Sequence, residues 1–419
     1  SGGLGTTSSA NVGAYSLTDT SQGTLILANG PSGANQGLAS NYTLTGGTQD
    51  YTISERILNS SGSKTYDANT DALAADITLS NLVSGETLNH SGTASISSAN
   101  AASYTITNLA GITLADNAGL ASNYTLTGGT HNFTVNPKVI SLSGSRLYDA
   151  TTDAVASDLT TISGLVGSET LNLSGTGSVT NANVASNKTV TLGTLALADN
   201  SGLAANYTLS GGTHQLTINQ RPLAATVARQ YDGTKTAAGS DLSSFDALQG
   251  GETLTLSGSG TVGDENVANG QGITLGTLAL VDGTGLASNY SLNSASLNIT
   301  ERVLNSSGSK TYDANTNALA GAITLSNLVS GEALNHSGTA TISSANAGSY
   351  TITNLAGITI ADGSGGTASN YTLTGGTHNF TVNRRVVGVS GTRLYDATTN
   401  AVASDLSTHT NLVGTETLN

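Results

Sequence analysis

The 419 residues contain no cysteine, methionine or tryptophan, only 3 proline and 3 phenylalanine, and charged side chains make up 10% of the chain. Each shortage removes a class of chemistry. Without thiols there is no disulfide, no thiolate nucleophile and no thiolate metal site, although that absence does not by itself assign a compartment. Aromatic content of 4% leaves few flat platforms on which sugars or bases stack. With 13 basic against 27 acidic residues the net charge is −14, so a basic phosphate-binding surface is not expected and nucleic acid is not an expected partner. Solubility is the plainer role of that charge. No run approaches the roughly 18 apolar residues of a membrane span. Ser1 opens neither a basic leader nor an apolar signal core, so the expectation is a processed product or an internal segment.

What is present is glycine, serine, threonine and asparagine around a hydrophobic fraction of 37%, with 52 Gly in all. Val, Ile, Leu and Tyr recur in strand-like alternation, which argues for folded modules with small cores rather than disorder. Internal repetition dominates the sequence. A basic residue, one spacer and Tyr-Asp recur as Lys64/Tyr66/Asp67, Arg146/Tyr148/Asp149, Arg229/Tyr231/Asp232, Lys310/Tyr312/Asp313 and Arg393/Tyr395/Asp396, with tyrosine spacings of 82, 83, 81 and 83. Asn-Tyr falls at Tyr42, Tyr124, Tyr207, Tyr290 and Tyr371, and a Glu shortly before Leu at Glu86, Glu169, Glu252, Glu332 and Glu416. Three landmarks therefore agree on one module of about 82 residues. Residues 302–383 repeat 56–137 almost verbatim at an offset of 246, or three modules. Joints near Glu55, Pro137, Arg221, Glu301 and Arg384 give a partial module 1–54, whole modules 55–136, 137–219, 220–300 and 301–383, and a partial module 384–419.

Within the module 55–136, alternation of apolar residues with Thr marks strands at Ile77–Leu79, Tyr104–Thr107, Ile112–Leu114, Tyr124–Leu126 and Phe133–Val135. Gly128-Gly129 reads as a tight hairpin turn between the last two of these, since both glycines tolerate positive φ. It recurs as Gly46-Gly47, Gly211-Gly212 and Gly375-Gly376, but Asn293-Ser294 stands there in the module 220–300. The segment Thr70-Asp71-Ala72-Leu73-Ala74-Ala75 is the best helical candidate, long enough for one or two turns capped by Thr or Asp. The fold class is all-β, a tandem array of β-sandwich-like modules; if that turn is helical, they are β-grasp-like instead. No Gly/Ser-rich or Pro-rich linker separates neighbours, so an elongated semi-rigid rod or filament is expected.

The order (Lys/Arg)-x-Tyr-Asp-(Gly/Ala), Leu-x-x-Gly-Glu-(Thr/Ala)-Leu, Asn-Tyr-(Thr/Ser)-Leu and a closing Phe/Leu-Thr-(Val/Ile)-Asn strand resembles the YDG/MBG-type repeats of filamentous-haemagglutinin-like adhesins. Tyr231-Asp232-Gly233 gives the eponymous triplet, while the other copies carry Ala at its third position. The resemblance covers essentially the whole chain. It implies a secreted or surface-exposed bacterial protein, often exported by two-partner secretion, in which these repeats act as stalk or spacer. A host or bacterial receptor would be met through regions that this sequence does not contain.

Tyr-Asp is the most regular polar feature. It is read as a structural motif, with Tyr packed in the small core and Asp closing the following turn, against the alternative of a ligand contact displayed once per module. The basic residue two before Tyr is placed to pair with the recurring Glu, for example Lys64 with Glu86, a surface pair worth about 0–1 kcal/mol. Asp116, Asp199, Asp282 and Asp362 recur in a loop before Asn-Tyr, with Asn29 at the first copy. They are the only Ca²⁺ candidates, and one carboxylate with an amide and some carbonyls falls short of the six to eight oxygens Ca²⁺ takes. No other cofactor is indicated. His90, His131, His214, His336, His378 and His409 show neither a zinc spacing nor a Ser-His-Asp order, so no catalytic residue is assigned and no enzyme is expected. Asn-x-Ser/Thr sequons, among them Asn41, Asn59, Asn89, Asn123, Asn132, Asn187 and Asn206, arise readily by chance in such a composition and do not argue for glycosylation.

The leading expectation is a non-catalytic stalk or spacer of an extracellular adhesin or biofilm-matrix filament. Its rival is an array in which each module weakly engages a glycan or protein and gains by avidity. The chain ends fall inside modules, Asn419 corresponding to Asn89 and Ser1 to His90. Two expectations follow for the partner at those ends: the continuation of one longer array, or neighbouring copies joined head to tail by strand complementation. A strand of about ten residues spans roughly 33 Å, so four whole modules end to end should reach well beyond 100 Å. Small-angle scattering checks this, and the maximum dimension of a compact 419-residue globule contradicts it.

Overall fold

The computed structural model describes residues 4–18 and 21–418. Among them regular structure is β throughout, apart from single 3₁₀ turns of three residues. The chain divides into two compact units, Ser1–Arg146 with Thr151–Ile218, and Leu147–Ala150 with Asn219–Asn419.

In the first unit, residues 56–136 show how a module is built. A four-stranded sheet runs in the order Ile77–Ser80, Asn59–Thr65, His131–Asn136, Ala102–Thr105. The two central strands are the first and last of the module and pair in parallel, from His131 opposite Ser60 to Asn136 opposite Thr65. Their outer neighbours pair antiparallel. A second layer holds Asp71–Leu73, Asn89–Ser95 and Ile112–Ala115, all antiparallel. Alternation sets the faces: His131, Phe133 and Val135 point inward and are buried, while Asn132 and Asn136 face solvent.

In the second unit, residues 302–383 repeat that four-strand order with Asn305–Thr311 and His378–Asn383 as the parallel centre. Here Thr341 and Ile342 pair with Asn354 and Ile352, which links the two layers into one seven-stranded sheet, a continuous path of six strands with Ile358–Ala361 branching from it, partly barrel-like. Ala318, Ala340, Ile342, Ile352, Phe380 and Val382 form one buried cluster between the layers. The modules 137–219 and 220–300 keep the four-strand order as well.

The sandwich and β-grasp expectations each capture one layer. A sheet centred on parallel first and last strands is the β-grasp arrangement, yet the layer facing it is strand. The segment 70–75 is not helical: Asp71–Leu73 is a strand and Ala74–Asp76 a single 3₁₀ turn with no side-chain cap. Ala72 pairs with Ala94 and is fully buried, so sheet pairing overrides a weak local propensity.

The Gly-Gly pair is not a hairpin turn. Tyr124–Thr125 pairs in parallel with Arg56–Ile57, and His131–Asn136 in parallel with Asn59–Thr65, two consecutive pieces of the entering chain, so residues 126–130 are an excursion from one interrupted strand. Only Gly128 takes positive φ, at 83°; Gly129 is needed because a Cβ there would lie 1.9 Å from the Leu58 carbonyl oxygen. The excursion is pinned by His131, whose Nε2 meets the Leu126 carbonyl at 2.8 Å and whose Nδ1 meets Ser60 Oγ at 2.9 Å. His214 and His378 do the same at Leu209 and Leu373. In the module 220–300, with Asn293-Ser294, the strand Tyr290–Thr300 is continuous, the excursion shrinks to a register shift, and Ala295 stands where the histidine would be.

The second layer depends on a glycine within its long strand. Asn335–Gly338 pairs with Ile358–Ala361, and from Thr339 onward the strand takes Asn317–Leu319 as its partner. Gly338 sits at the change with φ of 100°, and a Cβ on it would fall 1.9 Å from the Gly357 carbonyl oxygen. Gly92, Gly175 and Gly258 occupy the same position with φ of 102°, 87° and 77°. Gly338→Ala should therefore destabilise its module by at least about 2 kcal/mol through left-handed strain and backbone collision. Denaturant titration of the full chain should show one early transition detached from the rest, and an unchanged profile would contradict this account.

Candidate functional site

The recurring polar residues converge where one module meets the next. In the first unit, Tyr66 belongs to the module 55–136, and its hydroxyl donates to Glu169 Oε1 of the following module at 2.6 Å. Tyr207, the Asn-Tyr tyrosine of that following module, donates to the other oxygen, Glu169 Oε2, at 2.5 Å. The two rings meet edge to face, centroids 5.4 Å apart at 77°. Tyr207 is also held from behind, since the Val166 N–H donates to its hydroxyl at 3.0 Å. All three sequence landmarks thus share one carboxylate.

The second unit contains the same constellation twice. Tyr148 and Tyr290 donate to Glu252 Oε1 and Oε2 at 2.5 and 2.6 Å, and Tyr231 and Tyr371 donate to Glu332 Oε1 and Oε2, both at 2.6 Å. Their ring pairs lie 5.3 and 5.4 Å apart at 77° and 79°. Tyr312 donates to Glu416. The apolar core runs on through the joint, because Leu304 and Tyr371 belong to the same buried cluster as Val227, Tyr231 and Leu297.

A second clamp flanks the tyrosines. Asn206, 1% exposed, accepts the Ala101 N–H at 2.8 Å and donates its amide to Asn100 Oδ1 at 3.0 Å, again across the joint. Asn370 does likewise with Val267 N and Asn266, and Asn123 with Val12 N and Asn11. A third tie comes from arginines at the joints: Arg221, Arg302 and Arg385 donate to the backbone carbonyls of Tyr148, Tyr231 and Tyr312 at 3.2, 3.3 and 3.3 Å. The Asn and Arg roles were not read from sequence. Their only signal there was position, the Asn preceding each landmark Tyr and the Arg opening most modules.

Tyr66, Tyr148 and Tyr231 are buried as expected, Tyr312 is half-buried, and Tyr395 is 95% exposed. The aspartates close their own turns: Asp67, Asp232, Asp313 and Asp396 each accept the N–H two residues on, at 2.9 to 3.2 Å. Asp149 occupies the matching position before Ala150, which shares a left-handed φ of 64° with Ala68. Gly233 supplies that φ without a Cβ penalty, which is the physical reason for the third residue of the triplet. Lys64 does not pair with Glu86. It binds Asp67 Oδ1 at 2.9 Å and the Asn69 carbonyl at 2.8 Å, while Glu86 accepts the Tyr124 hydroxyl. The aspartate three residues away offers a shorter closure than a carboxylate on another strand.

The Ca²⁺ candidates serve the loop before Asn-Tyr. Asp116, Asp199, Asp282 and Asp362 each accept, through Oδ1, the N–H of the first residue of the 3₁₀ turn at 2.6 to 2.7 Å. Asn29 does the same for Ala39 at 2.8 Å, so the position needs an acceptor and not a charge. Among the described residues no three His, Asp or Glu side chains are grouped to hold a metal ion.

A family model described as the YDG domain matches residues 57–134, 130–215, 213–299 and 296–378. The chain belongs to the YDG domain family. No curated protein matches it. The junction is therefore a feature of four tandem YDG domains, in which the named Tyr-Asp-Gly triplet supplies the buried tyrosine, the turn-closing aspartate and the left-handed residue.

Burial, followed by the hydrogen bond to the glutamate and its charge, pushes Tyr66, Tyr207, Tyr290 and Tyr371 up from 10.0 to about 12. Tyr148 and Tyr231 are raised by the same causes. A phenol whose folded value lies above its unfolded one stabilises the fold fully below pH 10, and that contribution disappears as pH rises through about 12. The denaturation midpoint should hold up to pH 10 and collapse between 10 and 12, with junction phenols ionising only as it collapses. Ultraviolet titration against circular dichroism reads both, and ionisation of every tyrosine ahead of any structural loss would contradict it. Tyr207→Phe, which leaves Glu169 half-served, should cost about 1.5–3 kcal/mol, the value of a hydrogen bond to a charged group.

Proposed function

We propose that these YDG domains are a non-catalytic stalk or spacer of a secreted bacterial adhesin or extracellular filament, holding successive modules in fixed register outside the cell. The observation that carries this reading is the junction: the tyrosines of Tyr-Asp and Asn-Tyr and the glutamate of Gly-Glu, the most regular landmarks of the sequence, are engaged with each other where modules meet. Residues committed to buried joints are not displayed to a ligand. The partners this reading implies are the continuation of the same array or further copies of it, with any receptor contacted by other regions.

The rival is a multivalent binding array, and the two separate on one experiment. The full chain is immobilised and screened against a glycan array and against host-surface and bacterial-surface protein extracts. The spacer reading expects no retained ligand. Reproducible, saturable binding of a glycan or protein overturns it in favour of the binding array.

A further inference from the structure

We infer that each YDG module is a mechanical shear clamp, built to carry tension along the chain. This gives a load-bearing role to the spacer proposed above and rests on that reading for its biological use.

The argument starts from which strands the chain enters and leaves by. In the module 55–136 the chain enters along Asn59–Thr65 and leaves along His131–Asn136, and these are the two adjacent central strands of the four-stranded sheet. They are parallel, with six residue pairs in register from Ser60/His131 to Thr65/Asn136. Further backbone bonds extend the ladder at both ends, from Leu58 N to Thr125 O at 2.8 Å and from Tyr66 N to Asn136 O at 2.9 Å. Tension pulls the first strand backwards from its N-terminal end and the last strand forwards from its C-terminal end. For parallel neighbours those forces lie along the strand axis in opposite senses at opposite ends of the ladder. The evenly spaced, slanted hydrogen bonds between the strands are then loaded together, in shear across the ladder, rather than one after another from an end. Had the terminal strands been antiparallel, tension would act on one end and open the bonds singly.

The same geometry recurs in the modules 220–300 and 301–383. In the module 301–383, Ser306–Thr311 lies parallel to His378–Asn383 over six pairs. In the module 220–300 the clamp is longest, with ten pairs from Arg221/Tyr290 to Gln230/Thr300. Flanking strands cover both outer edges of the pair, so the clamp is interior to its sheet, and Phe133 and Val135, 0% and 1% exposed, key it to the second layer. The absence of a flexible linker directs tension into these strands: one residue separates His131–Asn136 from Lys138–Val139, and one separates Tyr290–Thr300 from Arg302–Val303.

The test applies force to one module of the full chain in two directions. Because the chain has no cysteine, paired cysteine handles are unambiguous. Glu55→Cys with Asn136→Cys pulls the clamp in shear, whereas Glu55→Cys with Thr130→Cys places both handles at the N-terminal ends of the two strands and peels them apart. All three positions are exposed. Either rupture should release about 250 Å of chain, which verifies that the same folded module is being opened. At equal loading rate the shear geometry should rupture at several-fold higher force, since forced unfolding is governed by the barrier along the pulled direction. Equal forces, or a weaker shear rupture, overturn the clamp. Neither outcome bears on ligand binding, so the screen above tests the spacer independently.

Discussion

A single carboxylate shared by two phenols organises this molecule. Glu169, Glu252 and Glu332 each accept a tyrosine from the preceding module on one oxygen and a tyrosine from their own on the other. A half-buried carboxylate needs its lone pairs satisfied, and two hydroxyls do so without introducing a second charge. The edge-to-face ring contact then aligns the phenols, and the apolar cluster continues through them from one core to the next. In a chain with so few large side chains, cores as small as these gain by being joined.

The fold beneath the joint follows from economy of side chains. Thr and Ser line solvent faces of strands whose opposite faces carry Phe133, Val135, Ile77 and their counterparts. Glycines let backbones approach where a Cβ would collide, and buried histidines hold the excursion that Gly128-Gly129 permits. Where one module shortens that excursion, its histidine is replaced by Ala295 and its strand becomes continuous, so the loop and the side chain that supports it change together.

Period, all-β class, most strand positions and the buried Tyr-Asp tyrosines are legible in the sequence, because regular alternation and fixed spacing leave direct traces. The convergence of the three landmarks is not, since Tyr66 and Glu169 are 103 residues apart and nothing local links them. The Lys64–Glu86 pairing failed for a related reason: spacing shows which charges share a face but not that Asp67 closes on Lys64 first. The Gly-Gly misreading is different again. Period-two alternation is identical in a hairpin and in two pieces of one interrupted strand, and only the partners, here the consecutive Arg56–Ile57 and Asn59–Thr65, tell them apart.

The parallel pairing of first and last strands also dictates how a module comes into being. Ser60 and His131 are separated by 71 residues, so the central ladder closes only after nearly the whole module is available. Such non-local closure carries a loop entropy that local hairpins avoid, and it makes completion slow relative to chain length. An emerging chain can pair one edge of its first strand early with Ile77–Ser80, but the other edge stays open until its own last strand arrives, while closely matching last strands exist in other modules, as His378–Asn383 does for His131–Asn136. Fidelity in the array rests on proximity, since a strand in the same module arrives at high effective concentration before a copy from another module can compete.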